Sequence, residues 1–242
     1  MKNLTRIVVF AIIAFSTVTA FAQKKEKRFS GTVTFGIESV GKTPIPIPAD
    51  MTEVSIKLLD NRGIYNNETT IINGNIIYQM QDLTQLQMYI QQMGADFDYA
   101  GPWKFYTKTE IKQSFIDSLF IGGKYTITYL DETKEIQGVT AKKAVVIREE
   151  EDGDAKETEV WYVENMGPEY DLNFVPGLKG FPLEFTQALN EESAVKYTAK
   201  GISSKKIKEA EFLLPAGYDE LSAEKLLDFQ EKLQILMEDM QY

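Results

Sequence analysis

The fold is decided by the alternation in residues 29–38, which read FSGTVTFGIE. Apolar side chains occupy the odd positions and mostly polar ones the even positions. A period of two with aromatic and β-branched residues is typical of a strand buried on one face. The same pattern recurs at residues 54–58, 125–129, 181–185 and 195–199. Shorter strands are predicted at residues 63–70, 74–80, 141–149, 157–164 and 204–214.

Short turn sequences separate many of these segments. Residues 61–63 (NRG), 73–74 (NG) and 152–154 (DGD) tolerate the positive φ that tight hairpin turns require. We therefore expect sequential strands to pair antiparallel, as a meander of hairpins.

Helical periodicity interrupts the strand pattern in three places. The first helix is predicted at 83–93, with Asp82 as N-cap, Gln85 as its capping-box partner and Gly94 as the stop. A second is predicted near 109–120, where apolar residues recur every fourth position. The third and strongest runs from Ser222 to about residue 240. Its apolar stripe consists of Leu226, Phe229, Leu233, Leu236 and Met240.

These elements predict an α+β fold class: a curved antiparallel sheet or incomplete β-barrel with two or three covering helices, the last one C-terminal. A long curved sheet has a concave face. Helices laid over that face either close a cavity or fill the core, and the sequence leaves both outcomes open.

The N-terminus has the features of a cleavable secretory signal. Lys2 and Arg6 precede an apolar run, and Ala20 and Ala22 give the small-x-small cleavage pattern. The run is too short to cross a hydrocarbon core, which takes about 20 residues. We therefore predict a signal peptide at 1–22, a single domain at 23–242, no transmembrane span in the mature chain, and a periplasmic or secreted location.

Composition excludes several function classes. The chain has 36 acidic and 26 basic residues, and it contains neither cysteine nor histidine. A net charge of −10 without a basic stripe gives no electrostatic basis for nucleic-acid binding. The missing residue types remove cysteine nucleophiles, Ser-His-Asp triads and the usual zinc sites. We expect a protein that is not an enzyme and that holds no cofactor or metal.

One match to a phosphate-binding loop is rejected. Residues 36–43 fit G-x-x-x-x-G-K-[ST], but that chemistry needs a helix directly after the loop. Pro44, Pro46 and Pro48 forbid a helix there.

Methionines beside aromatic residues are the remaining signal. Such side chains suit a cavity for an apolar ligand, and they equally suit an ordinary core. The candidate lining residues are Met80, Met88, Met93, Trp103, Phe105, Trp161 and Leu183.

Three stretches carry a family resemblance: residues 142–145 (KKAV), 159–162 (EVWY) and 177–184 (GLKGFPLE). In order and spacing they resemble exported Bacteroidetes proteins of the GLPGLI type, which are similar to the LolA/LolB-like class. The resemblance implies an incomplete antiparallel barrel, lidded by helices, that carries acyl chains. It also implies a motif turn at Gly177, Leu178 and Gly180, where glycine permits a tight conformation.

The expected function is therefore binding of a lipid or other apolar ligand by the concave face. The alternative is a ligand-free envelope protein that docks a partner protein through a sheet edge or the C-terminal helix.

Overall fold

A computed structural model describes residues 28–65, 68–95, 97–121, 125–149 and 155–239. The predicted signal peptide and the predicted turn at 152–154 lie outside these residues.

One large curved and unclosed sheet of 12 strands forms the framework. The strands are β1 (Ser30–Gly41), β2 (Glu53–Leu59), β3 (Arg62–Tyr65), β4 (Thr70–Asn73), β5 (Ile76–Asp82), β6 (Lys104–Glu110), β7 (Tyr125–Ile136), β8 (Val139–Glu149), β9 (Ala155–Val163), β10 (Phe181–Ala188), β11 (Ser193–Ser203) and β12 (Asp219–Glu220). Their order across the sheet is β12-β6-β5-β4-β3-β2-β1-β11-β10-β9-β8-β7. Only the β12–β6 pair is parallel among these strands. With three helices, the last of them C-terminal, this confirms the predicted fold class.

The sheet consists of two meanders joined by a single ladder. One meander runs β1 to β6 and the other β7 to β11, each pairing strands that follow one another along the chain. The joining ladder is β1–β11, in which Val33 pairs with Ile202 and Phe35 with Ala199. Because β1 continues to Gly41, residues 36–41 of the phosphate-loop match lie in a strand, and no helix follows directly, as the prolines predicted.

The helices are α1 (Thr84–Gln92), α2 (Gln113–Ser118) and α3 (Ala223–Asp239), with 3₁₀ turns at Ala49–Met51 and Glu209–Phe212. In α3, Phe229 and Leu236 are buried and Leu226 and Leu233 are half-buried, so these four residues of the predicted stripe face the protein. The fifth, Met240, lies outside the described residues. Helix α1 ends at Gln92, and Gly94 follows its C-cap with φ +68°, in the terminating position that was predicted. Its N-cap position is Leu83 rather than Asp82, whose carboxylate accepts hydrogen bonds from the Thr84 amide and hydroxyl. No helix in the described part of the chain is long and apolar enough to span a membrane.

One secondary-structure prediction is wrong and another is confirmed in part. Of the helix predicted near 109–120, residues 113–118 form α2, whereas Thr109 and Glu110 belong to β6, which pairs with β5. Residues 204–214 form no strand but a loop with a 3₁₀ turn. Its Phe212 is buried beneath the Arg62 guanidinium, 5.1 Å from the ring centroid, so local packing outweighs strand propensity.

Two clusters of buried side chains make the core. The larger covers the inner face of β1, β2 and β7–β11, with Phe35, Phe181, Leu183 and Phe185 at its centre. The smaller groups Met80 with Leu59, Ile64, Ile71, Ile207 and Phe212.

Candidate functional site

The inner face of the sheet is covered by an irregular stretch, which we call the inner segment (residues 165–180, between β9 and β10). The Phe174 ring lies 4.9 Å from that of Phe185 and 5.8 Å from that of Phe35. Leu178 is fully buried in the same cluster. The inner segment therefore fills much of the face that the sequence predicted to be either a cavity or a core.

A buried carboxylate fixes the path of the inner segment. Asp171 accepts backbone N–H bonds from Asn173 (3.1 Å), Phe174 (3.0 Å) and Val175. Burial raises its pKa to about 6, although these hydrogen bonds act in the opposite direction. The nearby Tyr65 hydroxyl is buried and has no hydrogen-bond partner among the described residues, and its burial raises its pKa well above the ordinary value.

The residues of the predicted motif turn lie at the end of the inner segment. Gly177 has φ +87° and its amide donates to the Asp171 carbonyl at 2.9 Å, while the Asp171 amide donates to the Leu178 carbonyl at 2.8 Å. Gly180 has φ +122°, and a Cβ there would lie 2.5 Å from the Val163 carbonyl oxygen. Both glycines are required by backbone geometry.

A cavity of about 260 Å³ remains between the inner segment and strands β7–β10. We call it the β7–β10 cavity. Its wall combines apolar and aromatic side chains with a comparable share of polar and charged groups. Gln187 spans from β10 to donate to the Phe174 carbonyl at 3.0 Å. The lining residues are Tyr125, Val146, Arg148, Lys156, Thr158, Val160, Phe174, Val175, Pro176, Thr186, Gln187, Ala188 and Leu189.

Two cations lie at the mouth of the β7–β10 cavity. Arg148 on β8 lies directly opposite Lys156 on β9 in the strand register. Both residues also line an open groove outside the cavity, together with residues 188–193. The Arg148 guanidinium carbon lies 5.6 Å from the centroid of the Tyr125 ring. Burial raises the pKa of Tyr125 to about 12, so its hydroxyl stays protonated at neutral pH and can donate a hydrogen bond.

None of the candidate lining residues predicted from the sequence lines this cavity. Trp103 and Phe105 are brought together, since both contact the Phe229 ring at 6.0 and 6.1 Å. Met88 and Met93 lie on the exposed side of α1. The remaining three are separated: Met80 in the smaller core, Leu183 in the larger core, and Trp161 on the opposite face of the sheet, 4.4 Å from Lys134 Nζ.

Sequence reasoning missed Asp171, Phe174 and the Arg148–Lys156 pair. Two signals were present. Asp171 is followed two positions later by Asn173, a pattern typical of an Asx turn. A hairpin centred on residues 152–153 places residue 148 opposite 156 or its neighbour.

No group of three acidic side chains among the described residues could hold a metal ion. Glu159 and Glu184, a carboxylate pair compatible by type with glycoside hydrolysis, are each engaged by lysine: Glu159 with Lys143 at 2.7 Å, and Glu184 with Lys134 at 3.0 Å.

Comparisons with known proteins give the fold a context. No family model matches the chain, and no curated protein matches it. Similar solved structures include PNGF-II, at 16% identity and a TM-score of 0.44, with 83% of this chain covered and 33% of that chain. They also include the LolA superfamily protein NE2245 from Nitrosomonas europaea, at 11% identity and a TM-score of 0.30, covering 77% and 91%. This chain thus spans about a third of the PNGF-II chain. Because both TM-scores are low, neither likeness establishes a family.

Proposed function

We propose that this chain is an exported, non-enzymatic binding protein whose ligand is a single-chain amphiphile with an anionic head. The apolar chain occupies the β7–β10 cavity and the head lies at its mouth. The observation that carries the proposal is a cavity with an apolar inner wall of valines and Phe174 and with two directly opposed cations, Arg148 and Lys156, among its polar lining residues.

The inner part of the cavity suits a short apolar chain. Val146, Val160 and Val175 are buried, and Phe174 closes the wall formed by the inner segment. A volume of about 260 Å³ lies just below the range of roughly 300–1,000 Å³ that drug-sized ligands occupy. One chain of medium length therefore fits better than a diacyl lipid.

The mouth of the cavity suits a negative charge. An anionic head within reach of Arg148 and Lys156 gains charge-assisted hydrogen bonds. The chain as a whole carries a net charge of −10, so this paired arrangement stands out locally.

The family resemblance and the predicted export support the same proposal. Residues 177–184 resemble the GLPGLI-type motif, and they close the inner segment that forms one wall of the cavity. Cleavage after Ala22 would release a periplasmic or secreted protein, where no nucleic-acid partner is expected.

Docking of a partner protein is less well supported. The exposed edge strand β7 carries a run of charged residues over 131–135 and a register irregularity between Tyr129 and Thr133. Charged side chains and bulges both oppose pairing of an edge with another strand. On α3 the exposed Leu227, Ile235 and Met237 do not form one stripe, because Ile235 and Met237 are two residues apart and lie about 160° apart around the helix axis.

Calorimetric titration of the mature protein with decanoate and with decan-1-ol tests the proposal. Thr158→Phe places a ring in the cavity and should abolish the binding of both ligands. The matched control is Thr128→Phe on the exposed side of β7, which should leave both affinities unchanged.

The head-group prediction needs a second pair of variants. Arg148→Gln should weaken decanoate by about tenfold or more and leave decan-1-ol unchanged, since a hydrogen bond to a charged group contributes about 1.5–3 kcal/mol. Lys142→Gln, on the exposed part of the same strand, should change neither. The proposal fails if decanoate shows no saturable binding, or if Thr158→Phe binds it as well as Thr128→Phe does.

A further inference from the structure

A second and larger cavity, of about 690 Å³, lies where three chain turns meet the first half of the inner segment. We call it the turn cavity. Asp60 and Asn61 form the β2–β3 turn, Gly74 and Asn75 form the β4–β5 turn, and residues 111–116 lead from β6 into α2. None of the candidate lining residues predicted from the sequence lines it, and it shares no lining residue with the β7–β10 cavity.

The three turns are tied to one another by backbone hydrogen bonds. The Gly74 amide donates to the Asn61 carbonyl at 3.1 Å, and the Ile111 amide donates to the Asn75 carbonyl at 2.7 Å. Gly74 has φ +63°, which its turn requires and glycine permits. The polar side chains on these turns are therefore held on a connected backbone, which lowers the entropy cost of binding a ligand.

Carboxamides are the most distinctive lining groups. Asn61, Asn75 and Gln113 come from three different turns and converge on one space. Each amide has two N–H donors and one oxygen acceptor. One donor of Gln113 is directed to Asp117 at 3.0 Å and one of Asn75 to Glu110 at 3.5 Å, which orients these two amides. The hydroxyl of Tyr170, which also lines the cavity, can both donate and accept. These lining groups therefore suit a ligand that has many hydrogen-bond donors and many acceptors.

The charges around the turn cavity are mixed in sign. Asp60 and Glu169 face the same space as Arg28, whose guanidinium is held by the Gly167 carbonyl at 2.8 Å. Neither an anion nor a cation is selected by this combination. Ile116 and Leu172 add an apolar part to the wall, suited to C–H surfaces.

We propose that the turn cavity binds a neutral saccharide, through the carboxamides of Asn61, Asn75 and Gln113 and the ring of Tyr170. The hydroxyls of a sugar both donate and accept hydrogen bonds, and its C–H faces pack on an aromatic ring. A volume of about 690 Å³ lies well within the range of small-ligand sites. This site does not depend on the amphiphile site.

The test is an NMR titration of the isotopically labelled mature protein with maltotriose and chitotriose, and with spermidine and inorganic phosphate as charged probes. We expect saturable shifts of the Asn61, Asn75 and Gln113 side-chain amides with at least one of the two saccharides. Gln113→Ala and Asn75→Ala should each weaken that binding by about 2- to 10-fold, the value of one neutral hydrogen bond. Gln85→Ala, at an exposed position of α1, is the matched control and should leave the affinity unchanged.

Thr158→Phe should also leave saccharide binding unchanged, which separates this proposal from the amphiphile proposal. The inference is overturned if neither saccharide produces saturable shifts at about 10 mM, tenfold above a 1 mM dissociation constant. It is equally overturned if only spermidine or phosphate shifts these amides, or if Gln113→Ala, with its fold intact by circular dichroism, binds the saccharide as tightly as Gln85→Ala.

Discussion

The sheet is covered in two different ways, and the contrast separates what a helix does from what an irregular segment does. Near β6, helix α3 places Phe229 among the rings of Phe97, Tyr99 and Trp103. Across β1 and β7–β11, the inner segment covers the sheet without forming a helix. A helix satisfies its own backbone groups, whereas an irregular cover needs other partners for them. Here the Asp171 carboxylate accepts hydrogen bonds from the backbone amides of Asn173, Phe174 and Val175.

The largest expected effect compares one aromatic residue from each cover. Phe174→Ala should lower the free energy of unfolding by about 3–5 kcal/mol, because its ring contacts four others in the larger core. Phe229→Ala removes a ring of the same size, but from a terminal helix held through one stripe. We expect it to speed hydrogen exchange within α3 first, leaving exchange in β8–β10 nearly unchanged.

Urea unfolding and hydrogen exchange of both variants measure this contrast. Leu227→Ala, an exposed position on α3, is the control and should change neither quantity appreciably. Equal losses of global stability with a single transition in both variants would show that the two covers are energetically alike.

The second expected effect concerns the charge of Asp171. Burial raises its pKa from 3.8 in the reference state to about 6, so the folded protein holds this proton more tightly than the unfolded chain does. The stabilisation from protonation is present below about pH 4 and is lost as the pH rises to about 6. Relative to Asp171→Asn, which does not titrate, wild-type stability should fall by about 2–3 kcal/mol between pH 4 and pH 7.

Chemical denaturation of the two proteins at several pH values checks the sign. The difference between them cancels the other titrating groups. A constant or rising difference across this interval would mean that the backbone donors, and not burial, dominate the pKa of Asp171.

The smallest expected effect is a difference of about 1–2 kcal/mol between two glycine substitutions, one of them at the end of the inner segment. Gly180→Ala should destabilise the protein by about 2–3 kcal/mol, because φ is +122° and the added Cβ meets the Val163 carbonyl. Gly138→Ala, in the β7–β8 turn, has φ +76° and open space around it, so only the conformational cost of about 1 kcal/mol remains. Thermal unfolding of both variants separates the cost of the steric clash from the cost of the backbone conformation alone. Equal decreases in melting temperature would contradict a contribution from the clash with Val163.

The strands and the long helix were predictable because apolar residues recur in each of them at a regular spacing. Alternation identified β1, β10 and β11, and a stripe four and three residues apart identified α3 to within a residue of its start. Residues 109–120 misled because apolar side chains every fourth position also fit the end of a strand followed by a short helix.

The site was less predictable because its residues share no period. The inner segment is set by contacts between its backbone and one buried carboxylate, and nothing in the spacing of apolar residues shows which face it covers. Met88 and Trp161 are residue types that commonly line cavities. Met88 is nevertheless exposed on α1, and Trp161 lies on the outer face of β9. Composition identified suitable side chains, and only tertiary structure decides which of them meet.

The ladder between β1 and β11 also bears on how the protein folds. Every other antiparallel pair in the sheet joins strands that follow one another in sequence, so both meanders can grow from local hairpins. The β1–β11 ladder instead closes a loop from Val33 to Ile202, which includes nearly all of the sheet and carries the highest entropy cost. We therefore expect the two meanders to form first and the β1–β11 ladder to form last, so that formation of this ladder sets the folding rate of the whole chain.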